Sequence, residues 1–383
     1  MTSSAAIDIL EQLLLEEPVA AAERANRQVD LTGSEIVLYG AGTLGSMVLE
    51  RMRRVGLSVA AFADDTPEKQ GTVMAGVPVM TARDAAAEFG DRALFVVTIL
   101  NPLLRYLDAR TRLQALTSGR IVSFLDVAWM FPEHFLPHYQ FERPETVLRK
   151  RDDILRAARV FSDEQSREQF AAHMRFRLHL DHEALPPNSH DDYVPAELLP
   201  LLDDGCIFVD CGAFDGDTVR RFLAARQGRF GQVHAFEPDS DNCERLRRYV
   251  SSLPAETGSR IHVHCAAVGD HRGTLRFNTT GNMSSAFDER GSTEVPVVRI
   301  DETVPADGGR LYVKYDVEGA EWEAIRGTSG LLHGERPLLA VSVYHRPDDL
   351  WQLPLYLHSL GLGYELYLRT QGEDGMDVIC YAL

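Results

Sequence analysis

The sequence predicts an α/β protein with two Rossmann-like, doubly wound sheets, and one pattern that occurs twice carries this prediction. In the first half, the apolar run 35–39 ends in the glycine-rich segment 40–45, and a helical segment follows. In the second half, the run 207–210 ends in the turn 212–216, again before a helical segment. A strand, a tight glycine turn and a helix in this order begin a βαβ unit. Further apolar runs alternate with amphipathic segments after both turns, which favours parallel sheets.

The chain of 383 residues is long enough for about two domains. We divide it into an N-terminal helix at 1–30, a Rossmann-like, nucleotide-binding-like domain at 31–140, a helical linker at 141–195 and a second α/β domain at 196–383. Pro18 interrupts the first helix. The loop 181–195 contains two histidines, His182 and His190, which we expect to be solvated rather than to bind a ligand.

Charge and composition exclude several classes of partner. The chain has 39 basic and 57 acidic residues, a formal net charge of -18. This charge argues against binding to nucleic acid or to an anionic membrane surface. The amino terminus has no basic segment followed by an apolar one, and no apolar run approaches the length of a membrane span. We therefore expect a cytoplasmic protein without a membrane partner.

The cysteines predict no metal site and no disulfide framework. Their number, five, is odd, and their spacing does not match that of metal-binding motifs. They are Cys206, Cys211, Cys243, Cys265 and Cys380. We expect all five to be reduced thiols.

The first glycine-rich turn has the complete Gly-x-Gly-x-x-Gly pattern, formed by Gly40, Gly42 and Gly45. The next strand ends at Asp64, about where a Rossmann domain places the acid that binds a ribose. These four residues form a second possible nucleotide site. The segment 62–79 resembles the N-terminal domains of bacterial sugar acyltransferases, and this resemblance implies a nucleotide sugar as ligand or no ligand. A structural or docking role, a nucleotide-sugar site and a redox NAD site all stay open.

The second glycine-rich turn lies between two acidic residues that also point to a nucleotide. Asp210 ends the strand before the turn, and open α/β sheets bind their ligands at this edge. The strand 232–236 ends in Glu237 and Pro238, where a carboxylate can accept both hydroxyls of a ribose. The glycines let a ligand approach the backbone closely. Two ordinary βα turns remain the alternative.

Four segments of the second half together resemble the FkbM-type methyltransferases that use S-adenosylmethionine. They are Val209–Thr218, Phe236–Pro238, Ala266–Asp270 and Lys314–Glu321. The resemblance covers roughly residues 190–383, and its most specific part is the Asp-x-Glu-Gly-x-Glu motif that begins at Asp316. It implies a seven-stranded methyltransferase sheet, S-adenosylmethionine as cofactor, and methyl transfer to a hydroxyl of a sugar, glycan or polyketide-type natural product.

The resemblance also implies which residues hold the cofactor. They are Asp210, Gly212, Ala213, Asp215, Gly216, Thr218, Glu237, Pro238, Ala266, Ala267 and Asp316. The glycine turn would admit the methionine part, and Asp210 would accept a hydrogen bond from its amino group. Glu237 would hold the ribose, and the two alanines would flank the adenine. Asp316 would face the positive sulfur.

Methyl transfer to an alcohol requires alignment and removal of the hydroxyl proton. Our preferred base is His345, because an imidazole titrates near neutral pH and a nearby carboxylate can activate it. Asp316 with Glu318 is the other candidate for this role, and both acids are equally consistent with a structural position before a helix. A divalent metal held by Asp316, Glu318, His345 and Asp349 is a third alternative.

The leading hypothesis is therefore an O-methyltransferase with a small-molecule or glycan acceptor. Two other classes stay open: a non-catalytic regulatory protein that binds a sugar nucleotide, and an NAD-linked enzyme built on the first glycine motif. The loop 282–286 is a further candidate for the acceptor entrance. The N-terminal helix makes a homodimer a reasonable expectation.

Overall fold

The computed structural model describes residues 4–101, 103–188, 193–195, 197–277, 293–305 and 308–383. His190 and the loop 282–286 lie outside the described residues. Within the described ranges, no helix combines the length and the apolar character that crossing a bilayer requires.

The first half forms a six-stranded sheet with helices on both faces. Its strands are β1 (Glu35–Tyr39), β2 (Val59–Ala63), β3 (Val73–Met74), β4 (Val77–Met80), β5 (Ala93–Val97) and β6 (Arg120–Ser123). Its helices are α3 (Thr43–Arg54), α4 (Ala82–Phe89), α5 (Tyr106–Gln114), α6 (Phe124–Met130) and α7 (Pro132–Phe135). The strand order is β3-β4-β2-β1-β5-β6, and every pair except β3–β4 is parallel. This is the predicted doubly wound arrangement.

Two helices precede this sheet where the sequence predicted one. They are α1 (Ala5–Leu13) and α2 (Pro18–Asn26). Pro18 occupies the first turn of α2, where its missing N–H is not needed. The same residue could not continue α1, because the helix interior requires that N–H as a donor.

The second half contains a seven-stranded sheet and a smaller sheet beside it. The strands are β7 (Ile207–Cys211), β8 (Gln232–Phe236), β9 (Ile261–His264), β10 (Ala267–Val268), β11 (Gly273–Phe277), β12 (Thr293–Val298), β13 (Leu311–Tyr315), β14 (Leu338–Ser342), β15 (Leu366–Thr370) and β16 (Val378–Ala382). The helices are α11 (Asp217–Arg226), α12 (Ser240–Ser252), α13 (Ala255–Gly258), α14 (Ile300–Thr303), α15 (Glu321–Arg326), α16 (Ser329–Gly334) and α17 (Asp349–Ser359). The predicted seven-stranded sheet is confirmed.

The order of the large sheet places the candidate site. It is β15-β16-β14-β13-β7-β8-β9, with β16 antiparallel to both of its neighbours and the other pairs parallel. The order reverses between β7 and β13, and open α/β sheets bind ligands at such a switch point. Because Lys314 pairs with Asp210 in register, the residues that follow β7 and β13 lie side by side.

The predicted helical linker consists of α8 (Pro144–Leu148), α9 (Arg151–Val160) and α10 (Glu164–His179). α10 packs against both halves of the molecule. Its Phe170 and Met174 belong to the core of the large second sheet, whereas Phe176 belongs to the core of the first sheet. Side chains of α10 also bind the backbone of the edge strand β15: Ser166 accepts from the amide of Leu368 at 2.8 Å. The helix therefore covers an edge that would otherwise be open to pairing with another chain.

The turn 371–377 between β15 and β16 is held by residues of the first half. The contacts are Arg105 with Glu373 at 3.3 Å, the amide of Tyr106 with Asp374 at 2.6 Å, Gln140 with the carbonyl of Gly375 at 3.0 Å and His182 with Asp374 at 3.1 Å. His182 is thus buried and paired, whereas the sequence predicted a solvated histidine. The pairing partner lies 192 positions away in sequence, so the local loop pattern could not indicate it.

The expectation of five reduced cysteines is wrong for two of them. Cys243 and Cys265 form a disulfide with their Cα atoms 5.8 Å apart, and the free thiols Cys206, Cys211 and Cys380 are buried. Cys243 lies in the first turn of α12 and Cys265 directly follows β9, against which α12 packs. An odd number of cysteines excludes only the pairing of all of them, so a single disulfide remains possible. Which two cysteines form it depends on the fold.

Candidate active site

The turn after β7 is shaped by two glycines in conformations that other residues avoid. Gly212 has φ +87, and a Cβ on it would overlap the carbonyl oxygen of Asp316 on the neighbouring strand end. Gly216 has φ +91, and its Cβ would lie 2.8 Å from Leu246 of α12. Only glycine combines a positive φ with such close approach. The two residues therefore fix a tight cradle at the switch point of the sheet.

Glu237 ties this turn to the next one. One of its carboxylate oxygens accepts from the amide of Phe214 at 2.9 Å, and the other accepts from the amide of Asp239 at 2.8 Å. Burial raises the pKa of this carboxyl to about 7. The oxygen that faces Asp239 also accepts from Nδ2 of Asn242 at 3.4 Å, whereas the oxygen that faces Phe214 retains a lone pair that can accept a ribose hydroxyl.

The other predicted cofactor residues surround the same cradle. Ala213, Thr218 and Ala266 are buried, whereas Pro238 and Ala267 are partly buried. The carboxylate of Asp215 pairs with Arg220. These residues thus follow the carboxyl ends of the neighbouring strands β7, β8 and β9.

Asp210 has an ion-pair partner that the sequence analysis did not assign. Its carboxylate is fully buried and accepts from Nζ of Lys314 at 2.9 Å. Lys314 also donates to the carbonyl of Gly212 at 2.8 Å and lies 3.5 Å from a carboxylate oxygen of Asp316. Burial alone would lower the pKa of Lys314, but the two carboxylates outweigh it and raise the pKa above its ordinary value. The lysine therefore stays charged and joins the two strand ends.

This arrangement gives Asp210 a different position from the predicted one. Its side chain has no exposed surface and reaches the glycine turn through Lys314, rather than facing a ligand directly. The sequence does contain a signal for this ion pair, namely a lysine within the apolar strand β13, because a buried lysine needs a counter-ion.

His345 lies among three carboxylates just after β14. Its Nδ1 is 2.8 Å from Glu321, and its Nε2 is 3.4 Å from Asp316 and 4.0 Å from Glu318. Glu321 is fully buried and also accepts from the amide of Val317 at 2.9 Å. Glu321 therefore fixes the ring so that Nε2 faces the two more exposed acids.

The surroundings of His345 keep it protonated. Burial alone would lower its pKa, but the neighbouring carboxylates, Glu321 foremost, raise the pKa to about 10. The prediction that this imidazole titrates near neutral pH is therefore wrong. The physical reason is that three acids surround one buried base, and a single acid was expected.

Asp316 and Glu318 line the opening between the cradle and His345. Their side chains are 25% and 26% exposed. Asp316 accepts from the hydroxyl of Ser342 at 3.1 Å. Glu318 has φ +53, a strained value for this residue type, and burial together with its acidic neighbours raises its pKa to about 8. The sequence motif thus does bring its two acids to the site opening.

The residues proposed as metal ligands do not form a metal site in the described part of the chain. Asp349 is buried and accepts from the amide of Arg346 at 2.9 Å, and burial raises its pKa to about 7. Nδ1 of His345 is already engaged by Glu321. Throughout the described ranges, no group of three or more His, Cys, Asp or Glu side chains has an arrangement that could hold a metal ion.

The first glycine motif has the expected loop geometry, but its acidic residue, Asp64, forms hydrogen bonds within the protein. Gly40 has φ +118, and a Cβ on Gly45 would overlap the carbonyl oxygen of Gly40. Asp64 accepts from the amide of Ala41 at 2.8 Å and from Lys69 at 2.9 Å. Although burial raises the pKa of Asp64, its hydrogen bonds lower it to about 2. The carboxylate thus holds the loop, and the nucleotide role of Gly40, Gly42, Gly45 and Asp64 stays a prediction.

Comparison with known proteins finds solved structures that are similar to this chain. Across its length, the chain is similar to the crystal structure of methyltransferase FkbM from Methylobacillus flagellatus KT, with 23% identity, 99% of this chain and 97% of that chain covered, and a TM-score of 0.73. It is also similar to an rRNA methylase from Streptococcus thermophilus, with 14% identity, 51% and 92% covered, and a TM-score of 0.31. No curated protein gives a significant match.

A family model described as the methyltransferase FkbM domain matches residues 210–369. The match begins at the buried Asp210 and ends within β15, so it contains the glycine cradle, Lys314 and the acids around His345. The resemblance inferred from the sequence motifs is therefore confirmed for residues 210–369, which match the methyltransferase FkbM domain.

Proposed function

We propose that this protein is an S-adenosylmethionine-dependent O-methyltransferase that acts on a hydroxyl of a sugar, glycan or polyketide-type natural product. One observation carries the proposal. The glycine cradle after β7 and the His345–Glu321 pair after β14 face each other across Asp316. A cofactor and an acceptor can thus lie on the two sides of one carboxylate.

The cradle fits the cofactor by shape and by charge. Backbone without side chains borders it at Gly212, and Glu237 offers a buried carboxylate beside it. S-adenosylmethionine supplies an electrophilic methyl group on a positively charged sulfur. Asp316 complements a positive charge at this position. Burial alone would raise the pKa of Asp316, but the positive charges of Lys314 and His345 lower it below its ordinary value, so the carboxylate stays ionised.

The remaining task of the protein is to align the hydroxyl and accept its proton. Nε2 of His345 is buried beside Asp316 and Glu318, and within the described residues it has no hydrogen-bond partner. It can take the hydroxyl proton once the imidazole is neutral, while Glu321 stabilises the imidazolium that results. A bound positive charge near Asp316 would weaken the field that protonates His345, so cofactor binding itself would prepare the base.

The cofactor assignment is tested by thermal unfolding with S-adenosylhomocysteine, the demethylated product. We expect the ligand to raise the melting temperature of the wild type and not that of Glu237→Ala, because the ribose loses its acceptor. Glu244→Ala on the same side of the fold is the matched control, since Glu244 is 52% exposed and pairs only with Arg248 among the described contacts. An intact shift in Glu237→Ala would show that the ribose assignment is wrong.

A further inference from the structure

A segment from the first half of the chain lies next to His345. Residues 138–141 form a tight hairpin, in which the amide of His138 donates to Phe141 at 3.1 Å and the amide of Phe141 donates back at 3.0 Å. Tyr139 lies at the tip of this hairpin. The centroid of its ring is 6.4 Å from that of His345, and the two ring planes are tilted by 45°.

Tyr139 occupies a position that favours a different residue. Its φ is +49 at the first central position of the two-residue turn, where the hairpin turn with one positive φ prefers glycine. Left-handed backbone at a bulky residue costs about 1–2 kcal/mol. Such strain persists where the surroundings enforce it, and it concentrates at functional sites. Glu318, on the other side of His345, has the same kind of strained backbone.

The hairpin 138–141 is joined to a second wall of the opening. Gln140, next to Tyr139, is buried and donates to the carbonyl of Gly375 at 3.0 Å in the turn 371–377. This turn ends at Asp377, and the carbonyl of the next residue, Val378, accepts from the amide of Val343 at 2.9 Å, two residues before His345. The first half of the chain therefore fixes both the aromatic ring and an acidic turn beside the reacting residues.

The chemistry of these walls selects the acceptor. The carboxyl groups of Asp316, Glu318 and Asp377 can form hydrogen bonds with hydroxyl groups, and the negative charges of Asp316 and Asp377 repel a phosphate. The face of an aromatic ring carries partial negative charge and packs against C–H groups. A ligand ring with C–H groups on one face and hydroxyls at its rim can pack against Tyr139 and form hydrogen bonds with the acids at the same time. Binding sites commonly lie between domains, as this one would.

We infer that the acceptor site lies between the two halves of the chain and takes a hydroxylated ring without a nearby phosphate, with Tyr139 contacting the ring and determining specificity. This inference rests on the proposed methyl transfer and adds the location of the acceptor site, the exclusion of a nearby phosphate and the residue that determines specificity. It assigns the first half of the chain a part in the active site, which is independent of any nucleotide at its glycine motif.

The test compares three variants with methyl α-D-glucopyranoside, methyl α-D-mannopyranoside, glucose 1-phosphate and mannose 1-phosphate as acceptor probes. Tyr139→Asn removes the ring but suits left-handed backbone, so it keeps the fold. Tyr139→Phe keeps the ring. Tyr364→Asn is the matched control, because the Tyr364 hydroxyl donates to Pro337 before β14, at the opposite edge of the sheet. Release of S-adenosylhomocysteine measures turnover, and calorimetry with S-adenosylhomocysteine measures cofactor binding.

We expect the wild type to methylate a neutral glycoside and neither sugar phosphate. Tyr139→Asn should lose about tenfold in kcat/KM, mostly through KM, since one aromatic contact is worth about 1 kcal/mol or more. Tyr139→Phe and Tyr364→Asn should stay within about threefold of the wild type, and cofactor affinity should be unchanged in all variants.

Three results would overturn the inference: wild-type turnover in Tyr139→Asn, a preference for the sugar phosphates, or cofactor binding by the wild type without turnover of any glycoside. Weaker cofactor binding in Tyr139→Asn would assign Tyr139 a structural role instead. A wild type that fails to bind S-adenosylhomocysteine would refute the proposed function itself, which separates the two failures.

Discussion

Lys314 is a charged side chain with 1% of its surface exposed, and it contacts both strand ends that form the cradle. A buried ion pair is a weak source of net stability, but breaking it is costly because one charge remains buried without a partner. The ring of Tyr193 adds a further contact, with Nζ of Lys314 4.8 Å from its centroid. The lysine therefore links the stability of the domain to the geometry of the site.

Lys314→Met should lower the free energy of unfolding by about 3–5 kcal/mol, because it leaves Asp210 charged or forces it to take up a proton inside the core. Chemical denaturation measures the change. The double variant Asp210→Asn, Lys314→Met should recover part of the loss, since it removes both charges together. If the single variant loses less than about 1 kcal/mol, the buried pair does not hold this part of the fold.

The protonation of His345 gives a second prediction at this scale. Its pKa is raised to about 10 in the fold, against about 6.5 in an unfolded chain. The stabilisation is therefore complete below pH about 6.5 and is lost as the pH rises through about 10. Unfolding measured between pH 6 and 10 should show a steeper fall for the wild type than for His345→Gln.

The control for this experiment is His271→Gln, whose side chain is 73% exposed. It should follow the wild-type curve. If His345→Gln follows it too, the carboxylates around His345 do not hold a proton on the ring. The catalytic counterpart is that kcat/KM should rise with pH above 7, because the free enzyme must first release that proton.

At the scale of elements, the disulfide joins α12 to the segment after β9. Cys243 follows Asn242, which contacts Glu237 at 3.4 Å, and Cys265 precedes the alanine pair predicted beside the adenine. The cross-link thus spans the side of the cradle where we predict the adenosine. Its two cysteines are 22 positions apart in sequence, so it closes a loop of moderate length.

Reduction with a dithiol should lower the free energy of unfolding by about 2–4 kcal/mol, because it removes a constraint on the unfolded chain. Denaturation with and without dithiothreitol measures this effect. The double variant Cys243→Ser, Cys265→Ser should be insensitive to the reductant. Thiol titration of the denatured oxidised protein should find three free thiols, and five titrating before reduction would show that no cross-link exists.

At the scale of the whole molecule, α10 joins the two halves. Phe170 and Met174 pack in the core of the second sheet, and Phe176 packs in that of the first. The turn 371–377 adds hydrogen bonds across the same boundary. The two sheets therefore share a structural element and cannot lose it independently.

Thermal unfolding should accordingly show one transition that fluorescence and circular dichroism report at the same temperature. Phe176→Ala should shift that entire transition downwards, because the cavity costs about 3–5 kcal/mol in a helix that both halves use. The exposed substitution Leu201→Ala, at a side chain that is 46% exposed, should leave it in place. Two separate transitions would mean that the halves unfold as independent domains.

The sequence by itself determined the elements and the place of the cradle. Glycine-rich turns after apolar runs are local signals, since a positive φ such as that of Gly212 is readily adopted by glycine itself. The acids that follow β8 and β13 could likewise be predicted, because carboxyl ends of parallel strands share one edge. The family resemblance rested on these same local segments.

Only the tertiary structure decided which groups meet. Asp210 and Lys314 are 104 positions apart, and Gln140 and Gly375 are 235 positions apart. The charge of His345 likewise depends on how many carboxylates surround it, because the low dielectric of the interior strengthens the interaction of the ring with each of them. A sequence pattern gives information about residues that are neighbours along the chain. The Asp210–Lys314 ion pair, the protonation of His345 and the position of Tyr139 beside it depend instead on contacts between residues that only the fold brings together.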